Sequence, residues 1–501
     1  MGSFMKGTLF LMFVILISKL FGFVYRMQFM RIAGEEAVGL YMTSYPTFIF
    51  FISLIQLGIP IAVTKIVAEY YAKNKDEHIQ SVMKTAIKIS FISILLFFPI
   101  VALSIPFIAK TLLHNEDIVF TLYIGLCTIP VVIFSSLIKA YLQGITKIAP
   151  TAWAQLLEQG VRIALIVFLL PLFVTPDDPA RTAAIAMAIT GLGEVFSFLF
   201  LAFYYWKSKR QIKKQTTRKY PVNPIFRIAL PSAGSKLFGT FTWFLEPIIF
   251  LKALTVSGIT ASAATTLYGI ISGVHIPLLL FPAFIPSALA IVLIPAVSAA
   301  LAKQNWKLLN TRIAMSLRLS SLVGCLAATY FFLHGDELAV RLFHLEENRG
   351  YMKILAPIFY FYYIQSPLHS ILQAADEARA AMMNSIYGGV GKLFLLFILA
   401  SQQTIQEFGA IIAIGFGVLI TSFLHIASIR QHKKIAIGFQ IFLVPYALFI
   451  ITCFIQPLFA QGLPFVESSL MTIAIIVGLL LLTRQVRLDD LKYIRSIFSR
   501  S

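Results

Sequence analysis

Apolar runs near the roughly 20 residues that a helix needs to cross a bilayer recur along this chain from its first ten residues to its last thirty. In hydrocarbon every backbone N–H and C=O must be satisfied internally, so only helices and closed barrels span it. The runs are continuously apolar and do not alternate in short segments, which selects helices. Composition excludes the alternative, because 13% charged residues is about half the share found in soluble domains. The predicted fold class is all-α integral membrane, with about fourteen transmembrane helices arranged as two parallel six-helix repeats plus two C-terminal helices.

The spans read 7–30, 39–63, 85–108, 118–143, 151–174, 182–206, 226–254, 264–300, 312–333, 351–374, 380–400, 406–429, 437–460 and 467–484. The first imitates a signal peptide because Lys6 precedes it, but it is too long and has no small-residue cleavage site. The eighth is overlong and carries Pro277, Pro282, Pro286 and Pro295, so a bend is expected, with neighbouring polar groups meeting the freed carbonyls. Gln56-Leu57-Gly58-Ile59-Pro60 reads as a flexible point closing span two, with Lys65 and Glu69 on the next turn as a structural pair. Cys127, Cys325 and Cys453 lie in apolar runs without metal or disulfide spacing and read as small core residues.

Lys207, Lys209, Arg210, Lys213, Lys214, Arg218 and Lys219 crowd the connection after span six without an acid. The positive-inside rule makes that loop cytoplasmic. Alternate connections on its side, with both termini, hold roughly 26 Lys and Arg against roughly 7 opposite. The chain is therefore expected in a cell membrane with both termini cytoplasmic, and its +19 charge reads as a topology signal, not a nucleic-acid footprint.

Ser18-Lys19-Leu20-Phe21-Gly22 in span one recurs as Ser235-Lys236-Leu237-Phe238-Gly239 in span seven. Leu40-Tyr41 and Leu267-Tyr268 follow the two copies, and Leu142-Gln143-Gly144 aligns with Leu372-Gln373-Ala374, which sets Arg162 opposite Lys392. Six spans separate the copies, so both halves enter the membrane the same way, about an axis along its normal. The divisions expected are an N-terminal lobe 1–206, a basic linker 207–225, a C-terminal lobe 226–430, and a terminal helix pair with a cytoplasmic tail 431–501. Parallel repeats of this kind hold substrate between halves and alternate access by rocking.

A charge at the bilayer centre costs about 2.5 to 3.5 kcal/mol on insertion scales, so each needs a partner or a function. Lys19 and Arg26 stand seven residues apart on nearly one face of span one, Lys236 repeats Lys19, and Lys392 repeats Arg162. These five predict a cationic chamber that attracts an anion. The bland alternative for each is snorkelling or a local ion pair, which is preferred for Lys139. Glu158, Glu194 and Glu246 are the candidates for a coupling ion, a proton or Na+, although Glu158 can simply balance Arg162 one turn away. His275, His369 and His425 sit alone in apolar surroundings and read as hydrogen-bonded packing residues, not as proton relays. No GxSxG, HExxH or phosphate loop is present, so neither catalysis nor an organic cofactor is expected.

Five stretches carry a family resemblance: Ser18 to Phe23, Ile32 to Tyr41, Leu156 to Arg162, Trp243 to Pro247, and Ala378 to Ser385. In order and spread they resemble the stage V sporulation protein B branch of the polysaccharide transporter group. More distantly they are similar to lipid II flippases and to multidrug and toxin extrusion antiporters. The resemblance implies export of an undecaprenyl-pyrophosphate-linked sugar, the peptidoglycan precursor for spore cortex, from the inner to the outer leaflet. By motif position it implies that Lys19, Arg26 and Lys236 line the cavity, with lysine at 19 where relatives often carry arginine. It also implies a groove for the polyprenyl tail on the last two spans. Expected partners are the lipid-linked oligosaccharide, membrane lipids and cell-wall synthesis proteins, with the chain itself a monomer. The rivals are a cation-coupled multidrug antiporter, which would want an acidic or aromatic pocket, and a sporulation scaffold without transport.

Overall fold

The computed structural model describes residues 2–73, 75–175, 177–209, 220–431, 435 and 437–485. Most of the basic linker, including Arg210, Lys213, Lys214, Arg218 and Lys219, lies outside the described residues. The chain divides by packing into two compact units, 1–273 and 274–501.

The first unit contains α1 (Gly2–Gln56), α2 (Ile59–Ala72), α3 (Asp76–Phe107), α4 (Ile118–Gly144), α5 (Ala149–Phe168), α6 (Pro179–Lys209), α7 (Asn223–Val256) and α8 (Ala261–Ile270). The second contains α9 (Ile276–Leu280), α10 (Phe284–Ala302), α11 (Trp306–Phe343), α12 (Tyr351–Ala374), α13 (Ala378–Ala400), α14 (Gln406–Gln431), α15 (Gln440–Ala460) and α16 (Phe465–Leu482). Twelve helices among the described residues are long and apolar enough to cross a membrane.

The expected count of about fourteen differs at two places. The first two spans are limbs of α1, broken at Gly34, where φ is 78° and ψ 172°. In a straight helix Tyr25 and Tyr41 would stand about 24 Å apart, yet both hydroxyls reach Thr190 Oγ1, at 3.4 and 3.0 Å. The chain therefore turns back on itself at the glycine, and Phe29 packs edge-on against Tyr41 across the turn. The second place is α12, which is long enough but diluted by Lys353, Gln365, His369 and Gln373.

Gln56-Leu57-Gly58 is a second break. Leu57 and Gly58 take φ of 48° and 68°, and Pro60 opens α2. On α2, Ile59, Ala62, Val63, Ile66 and Val67 recur at helical spacing and are buried. They share a core with Val82 and Met83 of α3, Tyr141 of α4 and Ala229 of α7. The tightest crossing joins α1 to α8: a Cβ on Gly39 would lie 2.6 Å from the Thr265 carbonyl oxygen, and one on Gly269 would meet the Gly39 backbone. Only two glycines let these backbones approach so closely.

The overlong eighth span breaks where a bend was expected. α8 passes through a π turn, Ile271–His275, into α9, then a 3-10 turn, Phe281–Ala283, and α10. In the second unit the Tyr363 hydroxyl donates to Leu279 O, next to the 3-10 turn, at 2.6 Å, and Arg312 donates to Ala296 O within α10 at 2.9 Å. There Leu293, Ile313, Leu368 and Ile429 form one core between α10, α11, α12 and α14. Cys325, Tyr360, Phe449 and Ile476 form another that docks α15 and α16. Leu103, Phe394, Phe454 and Leu482 are strongly exposed, an apolar exterior that a hydrocarbon surround accommodates and water would not.

Candidate functional site

Among the described residues, the charged groups of the first unit fall into two sets that differ in what faces them. The first set is neutralised. Glu158 and Arg162 stand one turn apart on α5 and pair at 2.8 Å, the favourable order for an acid preceding a base. Arg162 also meets Glu194 of α6 at 3.4 Å, and Lys139 of α4 meets Glu158 at 3.8 Å. Two cations thus face two carboxylates inside a helix bundle, where an unpaired charge is costly. Gly193 makes room, since a Cβ there would lie 2.7 Å from Arg162 Cγ. Lys139 is engaged in a local ion pair.

The second set has neutral partners. Arg26 Nη1 donates to the Ser272 carbonyl at 3.1 Å, in the π turn whose looser bonding leaves a carbonyl accessible. Lys236 Nζ donates to Gln56 Oε1 at 2.8 Å, and Gln56 Nε2 donates on to Ser136 Oγ at 2.7 Å. Lys19 is exposed on the same limb of α1 as Arg26. Among the described residues no carboxylate pairs with Lys19, Arg26 or Lys236. Glu246 stands deeper on α7, within Coulombic reach of Tyr268 on α8. Lys392 lies on α13 in the second unit, its stem against Gly417.

Sequence reasoning missed the aromatic and polar groups that frame these cations. Thr190 gives its own proton to Ala186 O at 3.1 Å, so its oxygen accepts from Tyr25 and Tyr41 and ties both limbs of α1 to α6. Tyr45 stacks on Tyr41 at 5.7 Å and meets Trp243 of α7 edge-on at 5.9 Å. A hydroxylated tyrosine repeating at helical spacing, at 41 and 45, was the available signal.

The histidines are not solitary, contrary to expectation. In the second unit His275 approaches Asp336 at 3.8 Å, while His369 and His425 pack ring to ring at 5.5 Å, with Asn384 bonded to His425. Asp336, also missed, accepts the Met352 N–H at 3.0 Å and so caps the first turn of α12, which Gly350 starts without a side-chain cap.

The architecture is that of multi-pass helical transporters. It matches a solved structure of the lipid II flippase MurJ in an inward closed conformation, with TM-score 0.72 and 12% identity, covering 94% of this chain and 97% of that one. An inward-facing multidrug resistance MATE family transporter matches with TM-score 0.65 and 16% identity, covering 83% and 94%. A family model described as polysaccharide biosynthesis protein matches residues 4–301. Stage V sporulation protein B of Bacillus subtilis (strain 168) is 32% identical over 98% of both chains. The chain belongs to the polysaccharide biosynthesis protein family.

Proposed function

We propose that this protein is an alternating-access flippase for an undecaprenyl-pyrophosphate-linked sugar, the cell-wall precursor lipid II used for spore cortex, moving it from the cytoplasmic to the outer leaflet. The observation that carries the reading is the contrast between the two charge sets. Arg162 and Lys139 are balanced by carboxylates, whereas Arg26 and Lys236 are held by a carbonyl and an amide that orient them without neutralising them. Oriented, uncompensated cations in a membrane bundle want an anion, and a pyrophosphate offers several oxygens for charge-assisted hydrogen bonds. The relatives, among them a sporulation protein and a lipid II flippase, agree with the substrate class. The inside-positive loops agree with both termini in the cytoplasm.

The test is native mass spectrometry of the purified chain offered undecaprenyl pyrophosphate with and without sugar, a neutral polyprenol and an organic cation. Retention of the pyrophosphate lipids, lost in Lys19→Gln/Lys236→Gln, is expected. Indifference to the pyrophosphate with retention of the cation would move the protein to drug efflux.

A further inference from the structure

Where α7 lies along the second limb of α1, the two edges of the interface have different chemistry. Lys236 and Trp243, seven residues apart, fall within about 20° of each other around α7. Tyr45 and Gln56, eleven apart, do the same on α1. The pairs meet as two rungs: Lys236 bonds Gln56 at 2.8 Å, and the Trp243 ring meets Tyr45 at 5.9 Å with planes 71° apart. On the opposite edge, about 160° round α7 from Trp243, Phe241 packs on Phe50 at 5.6 Å, a contact between two apolar rings.

Trp243 remains 39% exposed, so part of the indole is left over from packing. An exposed tryptophan on a membrane helix is ordinarily an interfacial anchor. The surroundings of this one differ: its partner Tyr45 lies within Coulombic reach of Arg162, Arg26 and Glu158, and Lys236 sits two turns away on the same edge. An aromatic face with the uncompensated Lys236 on its own edge offers two kinds of recognition side by side. The electron-rich ring face attracts the polarised C–H groups on one side of a pyranose, while the ammonium takes phosphate oxygens. Seven residues of helix rise about 10 Å, the reach of a diphosphate followed by one or two pyranose rings.

We infer that Trp243, backed by Tyr45, is a saccharide-stacking platform that makes this site select a glycosylated polyprenyl pyrophosphate over the bare one. The inference rests on the flippase reading and adds to it the residue that recognises the sugar. The experiment measures, by native mass spectrometry on the full chain, the ratio of affinities for undecaprenyl pyrophosphate carrying a disaccharide and undecaprenyl pyrophosphate alone. Trp243→Leu should lower that ratio about two- to tenfold, the scale of one aromatic contact, by weakening the glycosylated lipid only. Trp243→Phe, which keeps a π face, should recover most of it. Lys236→Gln should weaken both lipids alike. An unchanged ratio in Trp243→Leu, or equal weakening of both lipids with Trp243→Phe no better, overturns the platform and leaves the flippase reading standing. Failure of the unaltered chain to retain either pyrophosphate lipid overturns both.

Discussion

Removing Arg162 should be the most destabilising single change among the bilayer charges, and the structure says by what route. In the native chain Arg162 and Lys139 face Glu158 and Glu194, with Arg162 12% exposed and Lys139 28%. Arg162→Met leaves two carboxylates and one cation in the same space, and breaking a buried pair from one side costs about 3–5 kcal/mol. On the scale of soluble domains this is a fall in melting temperature on the order of 10 °C. Glu194→Gln on top of Arg162→Met restores equal numbers of cations and carboxylates, with Glu158 left to Lys139, and should recover more than half of the loss. Lys139→Met should cost about 1 kcal/mol, because that contact is long and partly solvated. Thermal melting of the detergent-purified variants, followed by monodispersity on size exclusion, reads all three. If Lys139→Met costs as much as Arg162→Met, or Glu194→Gln rescues nothing, charge balance is not what holds α5 to α6.

The α1–α8 crossing should not tolerate a side chain: Gly269→Leu drives a Cβ into the Gly39 backbone, which cannot yield as a side chain would, and should cost at least the roughly 1–3 kcal/mol of overpacking. Wild-type melting of that variant would refute the crossing. Asp336→Ala strips the acceptor from the Met352 N–H and should cost about 1 kcal/mol, with Asp336→Asn milder because an oxygen remains; equal losses would assign the effect to the carboxylate charge beside His275 instead.

Much of the fold was legible because hydrocarbon removes choices. With no water to bond the backbone, a long apolar run must be a helix, and the runs fall largely inside helices, although α3 starts nine residues before its run and α11 ends ten after. The Glu158–Arg162 pair was equally readable, since helical spacing alone brings i and i+4 together. The reversal near Gly34 was readable too, since one run ends at 30 and the next starts at 39 with Arg31, Glu35 and Glu36 between them; that helix would continue up to the glycine from both sides was not. The solitary appearance of His275 and His425 misled because Asp336 and Asn384 come from other helices.

By itself, then, the sequence determined the solvent this protein lives in, the type and approximate number of its helices, and a surplus of cations among them, because each of these depends on composition and local periodicity. Only the tertiary structure decided which cations are neutralised and which are not. Arg162 and Lys236 both lie in apolar helices, but one faces carboxylates from α5 and α6 while the other faces an amide from α1. The carboxylates that face Arg162 stand 4 and 32 residues from it in the chain, whereas the amide that holds Lys236 comes from 180 residues away. Electrostatic compensation is a property of distance in space, and spacing along the chain encodes only the part of it made within one helix.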